Sequence, residues 1–287
     1  MMLVSLFGSA QKAKVYRAQS LLNEKKANEA RLCIDSALTD AEARKMPEAF
    51  TIRAFAYYEI YKTTDKLKLN STLRDTIINS IRISNSLNPD EDFKSNNNKL
   101  MVSLAGNYYN IAKTLLQDSI NYESSVIAFN KFKDIMKNAD PNFNVVEKDK
   151  EYYLAVGSIY SQRFNENNKD TKANEIAKIA LLKVLEIQPD DPSANMNLGL
   201  MYLNTSATMV QNMDDIVELK ELDVIIDNYI KLAKQAEQFI LKVYEKNNKN
   251  PKSVEALYYV YKILNENAKI DEFRNKCKEL NIPISDN

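Results

Sequence analysis

The spacing between glycine and tyrosine is the feature that most restricts what this chain can fold into. Three of its four glycines, Gly106, Gly157 and Gly199, stand three residues before a tyrosine, in segments whose apolar residues have helical spacing. A glycine inside a helix costs about 0.5–1 kcal/mol relative to alanine. Keeping glycine at a fixed place in three helices predicts that a second helix packs closely there, with the tyrosine filling the gap beside it.

The remaining composition favours helices throughout the chain. With only four glycines and seven prolines in 287 residues, there is too little turn chemistry for an architecture of many short strands. Proline cannot continue a helix from within, so the prolines are expected to mark boundaries between helices. These boundary prolines are Pro47, Pro89, Pro141, Pro189, Pro192 and Pro251. We therefore expect an all-α protein.

A second helical segment follows each glycine segment. In "AKIALLKVLEIQP", Ala177, Leu181 and Val184 precede Pro189 at regular spacing. Together the two segments resemble the tetratricopeptide repeat, in which W-x2-L-G-x2-Y on one helix is followed by A-x3-F on a second helix and a closing proline. The resemblance implies a right-handed solenoid of about six antiparallel helical hairpins, because no hairpin can bury its faces alone.

The predicted solenoid covers residues 11–287 as a single domain of expanded repeats. Its hairpins are expected at about residues 11–45, 47–90, 98–139, 148–190, 192–249 and 251–282. The first two motif glycines are 51 residues apart, whereas the family repeat has about 34 residues. Residues 94–99 and 165–175, rich in asparagine and lysine, are therefore expected to lengthen turns.

The largest expected insertion, residues 206–230, separates the two helices of the fifth hairpin. It contains the acidic and apolar run "MDDIVELKELDVIID". Two interpretations stay open: the run docks a basic partner or covers a groove, or it extends a helix and exposes its acidic face to solvent.

Charge and residue types exclude several classes of function. Thirty-nine basic residues balance thirty-nine acidic ones, which gives no general attraction for nucleic acid. The chain has no histidine, the commonest general base and metal ligand. Cys33 and Cys277 are expected to be small apolar fillers, and Val145 stands where a calcium loop over residues 140–151 would need glycine. We expect no enzyme activity, no cofactor and no metal.

The opening residues 1–10 resemble a remnant of a bacterial signal peptide, with cleavage between Ala10 and Gln11. This interpretation places the protein in the periplasm or outside the cell. The alternative is that these residues begin the first helix of a cytoplasmic protein. No later segment approaches the ~20 apolar residues that a membrane span needs.

The resemblance also implies a concave groove lined by the first helix of each hairpin. Projecting the repeat along the chain gives the expected groove residues Thr51, Phe55, Tyr58, Ser103, Asn107, Asn110, Ser158, Gln162, Met196, Leu200, Leu203 and Tyr259. This lining is neutral, aromatic and rich in amides, so it has no basic clamp for a carboxylate. It suits a neutral extended peptide or a docked helix; alternatively, individual residues pack against neighbouring repeats.

The function expected from these features is that of a non-catalytic adaptor or scaffold, which binds a protein or peptide in its groove. The alternative is a structural subunit of a bacterial envelope or secretion assembly that contacts its partners through the insertions.

Overall fold

The computed structural model describes residues 2–117, 121–167, 169–211 and 219–285; the side chains of residues 2–11 and 219–221 lie outside the description. In these ranges the regular structure is helical, which confirms the all-α expectation. The α-helices are α1 (Met2–Asn23), α2 (Ala27–Ala37), α3 (Pro47–Thr64), α4 (Thr72–Ser86), α5 (Glu91–Gln117), α6 (Tyr122–Ala139), α7 (Val145–Glu166), α8 (Thr171–Ile187), α9 (Pro192–Gln211), α10 (Leu219–Lys246), α11 (Pro251–Leu264) and α12 (Asn267–Glu279). A short 3-10 helix covers Ala43–Lys45.

The helices pair in chain order as hairpins, α1 with α2 through α11 with α12, as predicted for a helical-repeat protein. The chain divides into two compact units of three hairpins each, unit 1 (Met1–Phe143) and unit 2 (Asn144–Asn287). First helices also contact each other, α1 with α3 and α3 with α5 in unit 1, and α7 with α9 and α9 with α11 in unit 2. Together with contacts between the second helix of one hairpin and the first helix of the next, such as α2 with α3 and α10 with α11, they stack one hairpin on the next.

Helix boundaries follow the local sequence. Pro47 and Pro251 occupy the first turn of α3 and α11, where a missing N–H is harmless. The Asn144 side chain caps α7 by accepting a hydrogen bond from the backbone N–H of Glu147. In the stretch considered for calcium, this asparagine is thus a helix cap.

Aromatic packing inside the hairpins agrees with the motif. The Tyr202 ring lies parallel to the Phe239 ring of the paired helix, with centroids 5.8 Å apart. Tyr261 also packs on Phe273 of its paired helix, with centroids 5.3 Å apart and the rings tilted by 47°. Each contact buries aromatic area between the two helices of one hairpin and adds about 0.5–1.5 kcal/mol beyond burial.

The prediction of close helix packing holds at two of the three motif glycines. A Cβ at Gly157 would stand 2.5 Å from Cγ of Leu181, and one at Gly199 would stand 2.4 Å from Cγ1 of Ile240. At these two positions the close approach of the paired helix is confirmed. At Gly106 the prediction is wrong, because no heavy atom of a neighbour lies within 4 Å of the Cβ position.

One expected turn is helical instead, and the described part of the expected insertion belongs to two helices. Residues 94–99 lie inside α5, which begins at Glu91 rather than near residue 98. Residues 206–211 complete α9, and the described part of the expected insertion continues as α10 from Leu219. Asp223 and Asp227 are exposed on α10, as in a helix extension with a solvated face; residues 212–218 lie outside the described ranges.

Candidate functional site

A cavity of about 510 Å³ opens between the first helices of unit 1. α1, α3 and the first turns of α5 form its walls, and the turn between α1 and α2 closes one end. Its apolar lining comes from Leu22, Ile52, Phe55 and Phe93. Ile52 is buried, while both phenylalanine rings are half-buried and can pack against a ligand. Cavities of about 300–1,000 Å³ are the usual size of binding sites for small ligands.

Polar groups at the rim are mostly uncharged amides. Gln19, Asn23 and Asn96 are exposed along the opening. Glu59 also lines the cavity, but its carboxylate is 2.7 Å from the Lys62 ammonium. That charge is therefore partly compensated, although an exposed pair of this kind adds little stability. The rim also carries one ammonium, that of Lys25 in the turn after α1.

A buried polar network fixes the α5 wall of this groove. Asn97 is fully buried, and its Nδ2 donates to Ser84 Oγ at 3.0 Å and to Asn85 Oδ1 at 2.8 Å. Thr51 Oγ1 donates to Asn97 Oδ1 at 2.9 Å. Because the Thr51 proton is then used, Ser84 supplies the proton for the 2.9 Å contact between the two hydroxyls. α3, α4 and α5 are thus joined directly beneath Phe93 and Asn96.

A second buried network lies further along the same helices. Arg74 is fully buried, and its Nη2 donates to Tyr61 Oη at 2.8 Å and to the Lys68 carbonyl at 2.7 Å. Its guanidinium lies 4.1 Å from the centroid of the Tyr108 ring. Burial raises the pKa of Tyr61, and hydrogen bonds from Arg74 and Asn107 oppose the rise. The network holds the loop between α3 and α4 against the core.

The expected groove residues of unit 1 therefore have different surroundings. Thr51 and Asn107 are 2% and 7% exposed, and their side chains belong to the two buried networks. Phe55 lines the cavity. Tyr58 is half-buried, with its hydroxyl 2.5 Å from Ser103 Oγ on α5. The last residue of the set in this unit, Asn110, is exposed.

In unit 2 the expected groove residues are also divided. Met196 and Leu203 are buried, and Leu203 belongs to the core cluster that α9–α12 form. Leu200 is partly buried against that cluster. Ser158 is exposed and accepts a hydrogen bond from Asn197 Nδ2 at 3.3 Å.

The other two expected residues of unit 2 contact groups within the unit. Gln162 is exposed and donates to Glu166 one turn further along α7. The Tyr259 hydroxyl accepts a hydrogen bond from the backbone N–H of Ser285, so the C-terminal segment reaches this position.

A smaller cavity of about 230 Å³ lies between α7 and α9. Its polar lining includes Asn165 and Asn204, whose side chains are joined at 3.1 Å from Nδ2 to Oδ1. The two asparagines repeat the Ser158–Asn197 contact seven residues further along both helices. None of the described residues that line it has an ionisable side chain.

Sequence reasoning missed most of the larger groove. Asn96 lies in the expected turn 94–99 and Phe93 between two predicted hairpins, whereas the structure places both residues on α5. Gln19 and Leu22 occupy α1 positions equivalent to Phe55 and Tyr58 on α3, counted from Leu21 and Tyr57, and that equivalence could have identified them.

Three other kinds of candidate site concern the described residues: metal sites, cysteines and membrane-spanning helices. The described part of the chain holds no group of three His, Cys, Asp or Glu side chains arranged to bind a metal ion. Cys277 is fully buried in the core of unit 2, and half-buried Cys33 lies with Sγ 3.3 Å from the Lys14 carbonyl. No described helix combines the length and the apolar character that crossing a membrane requires.

Comparison with known proteins gives similarities to solved structures. No family model matches the chain, and no curated protein matches it. A monomeric mutant of IFIT1 solved with Gppp-AAAA is similar over 96% of this chain and 51% of its own, with 15% identity and a TM-score of 0.37. The chain thus spans about half the length of that protein.

Two further solved structures are similar over nearly their whole length. PilW, described as a widely conserved type IV pilus biogenesis factor, covers 96% of both chains with 17% identity and a TM-score of 0.30. Nro1, a nuclear import adaptor of S. pombe, covers 97% of this chain and 95% of its own with 13% identity and a TM-score of 0.36. What these proteins bind is a property of those proteins and says nothing of the partner here.

Proposed function

We propose that the protein is a non-catalytic, tetratricopeptide-like adaptor or scaffold that holds an extended segment of a partner protein in the groove of unit 1. The observation that carries the proposal is the cavity of about 510 Å³ between α1, α3 and α5. It is set on rigid helices, and the Asn97 network preorganises one wall. Preorganisation lowers the entropy cost of binding.

The lining suits a peptide with an apolar side chain and an uncharged backbone. Phe55 and Phe93 offer aromatic surface to a bulky apolar side chain of the ligand, while the amides at the rim can pair with peptide N–H and C=O groups. Because most of the lining is uncharged, affinity should depend only weakly on salt.

A photo-crosslinking experiment tests this proposal. The photoreactive residue p-benzoylphenylalanine is placed at Asn96 in the groove and, as a matched control, at Leu67, which is 76% exposed and outside it. Each protein is irradiated with a random peptide library, and the crosslinked peptides are sequenced. We expect related sequences with a shared bulky apolar residue from position 96 only.

The recovered peptide then allows a direct binding measurement. Phe55→Ala should weaken binding by about 1–3 kcal/mol, the usual value for truncating a buried aromatic anchor. Leu67→Ala should leave affinity unchanged. Equal adducts from both crosslinker positions, or unchanged affinity in Phe55→Ala, would show that the groove is not the binding site.

A second candidate function rests on the first turns of α10. Ile225, Ile226 and Tyr229 are half-exposed there, and Val224 is 59% exposed. An apolar face of this kind is what a structural subunit of a larger bacterial envelope assembly would use for contact. If Val224→Asp together with Ile225→Asp abolishes assembly into a native complex while Phe55→Ala does not, this second function replaces the first.

A further inference from the structure

The chain's own C-terminal residues occupy a face of unit 2. After α12, residues 282–285 form no regular secondary structure, and exposure alternates along residues 281–285. Ile282 and Ile284 are half-buried and pack against the core cluster of α9–α12, whereas Asn281, Pro283 and Ser285 are exposed. This period of two is that of a strand laid on an apolar surface.

The first part of this segment is an ordinary helix cap. Asn281 has a φ of 55°, its N–H bonds the Lys278 carbonyl at 3.1 Å, and the Ile282 N–H bonds the Cys277 carbonyl at 2.8 Å. This is the Schellman arrangement, in which an apolar contact at Ile282 is expected. The cap ends at Ile282, so it does not explain why the following residues stay on the surface of the helices.

Those following residues are held by α11 through their main chain. The Ser285 N–H donates to Tyr259 Oη at 3.3 Å, and Lys262 Nζ donates to the Ser285 carbonyl at 3.4 Å. A backbone N–H and C=O are present in any peptide, so these two contacts do not depend on the bound sequence. Selectivity is left to the packing of the apolar side chain, here that of Ile284.

The position of this contact matches the groove of unit 1. Tyr259 stands two residues before the motif position Tyr261, as Phe55 stands two residues before Tyr57. Phe55 lines the cavity of unit 1 and Tyr259 contacts the C-terminal segment. The same place on a first helix is thus open in one unit and covered by an extended segment in the other.

We propose that the part of this face of α11 under residues 283–285 is a second peptide-binding surface, that its partner is an extended segment with one β-branched apolar residue in the place of Ile284, and that residues 283–285 compete for it in cis. A tethered segment acts at an effective concentration of about millimolar order, so it excludes weaker ligands from solution. Displacing it exposes the Tyr259 hydroxyl and the surface under Ile284. This proposal concerns unit 2 alone and stands whether or not unit 1 binds a peptide.

The test uses the full chain and a labelled peptide, GPISG, whose central residues copy residues 283–285. Ile284→Asp releases residues 283–285 and leaves the cap and Ile282 in place, and Pro283→Asp adds the same charge on the exposed side as the matched control. Fluorescence anisotropy should show about ten-fold tighter binding to Ile284→Asp than to the wild type. Pro283→Asp should bind like the wild type, and the peptide GPDSG should bind none of them.

A further variant places the bound peptide on α11. In the Ile284→Asp background, Tyr259→Phe keeps the ring and removes the hydroxyl, so affinity should fall several-fold. Far-UV circular dichroism and the urea midpoint of each variant confirm that unit 2 is folded. If folded Ile284→Asp binds GPISG no tighter than Pro283→Asp does, the segment is only a cover for the end of the last hairpin and the proposal is overturned.

Discussion

Replacement of the motif glycines by alanine is expected to change stability in opposite directions. Gly106 and Gly199 occupy the same place in the same sequence pattern, three residues before a tyrosine. In a free helix, alanine would be favoured over glycine at both positions by about 0.8–1 kcal/mol. The difference between the two sites comes from the helix packed against each of them.

At Gly199 the added methyl group has no room. Its Cβ would lie 2.4 Å from Cγ1 of Ile240 and 3.4 Å from the Ala236 carbonyl oxygen. Ile240 is fully buried and β-branched, so Cγ1 cannot move without a change of rotamer or a shift of α10. Overpacking of this kind costs about 1–3 kcal/mol, which outweighs or cancels the helix preference and leaves a net loss of about 0–2 kcal/mol.

At Gly106 no heavy atom lies within 4 Å, so alanine should keep its full advantage and stabilise the protein by about 0.5–1 kcal/mol. Urea unfolding followed by far-UV circular dichroism measures both changes. The decisive control is Ile240→Ala, which removes the clashing atom. In that background Gly199→Ala should become stabilising, as it is at Gly106.

This double-mutant cycle should give a coupling energy of about 1–3 kcal/mol between positions 199 and 240. If Gly199→Ala raises the urea midpoint as much as Gly106→Ala does, or if Ile240→Ala leaves its effect unchanged, then close helix packing is not the reason for the glycine.

Three further outcomes follow from buried groups. Asn97→Ala should lower the free energy of unfolding by about 2–3 kcal/mol in urea titrations, because it leaves buried hydroxyls without partners, while the exposed neighbour Asn96→Ala should stay within about 0.5 kcal/mol. Arg74→Lys should cost about 2–4 kcal/mol by the same measurement, since an ammonium cannot reproduce the forked contacts to Tyr61 and the carbonyls; a loss below that range would contradict this account. Iodoacetamide should alkylate Cys33 before Cys277, because burial raises the pKa of the Cys277 thiol, and equal alkylation rates at pH 8 would contradict this. The contribution of the Cys277 thiol to stability should be full below the ordinary thiol pKa of about 8.5 and fall as pH rises above it.

The fold could be predicted from the sequence because its signals are local. Helical spacing, prolines between segments and the paired small and aromatic residues each act within one hairpin, and the structure has the six hairpins that they indicate. The predicted helix boundaries were wrong where tertiary contacts determine them. Asparagine is a poor helix former, yet Asn97 lies inside α5, where its amide completes a buried network with Thr51 and Ser84.

The candidate site was less predictable, because a residue's position in the repeat determines the direction of its side chain but not which groups that side chain contacts. Thr51 and Met196 both stand six residues before a motif tyrosine and are buried, but only Thr51 has a hydroxyl that joins a polar network. Phe55 and Tyr259 also share a place, yet one lines a cavity and the other contacts the chain's own C-terminal segment. The elements that decide these contacts are the additional first turns of α5 and the segment after α12. Each of them brings in residues from outside the repeat pattern. Under the proposed function, the residues added between and after the repeats therefore determine which first-helix surface of each unit is open to a partner.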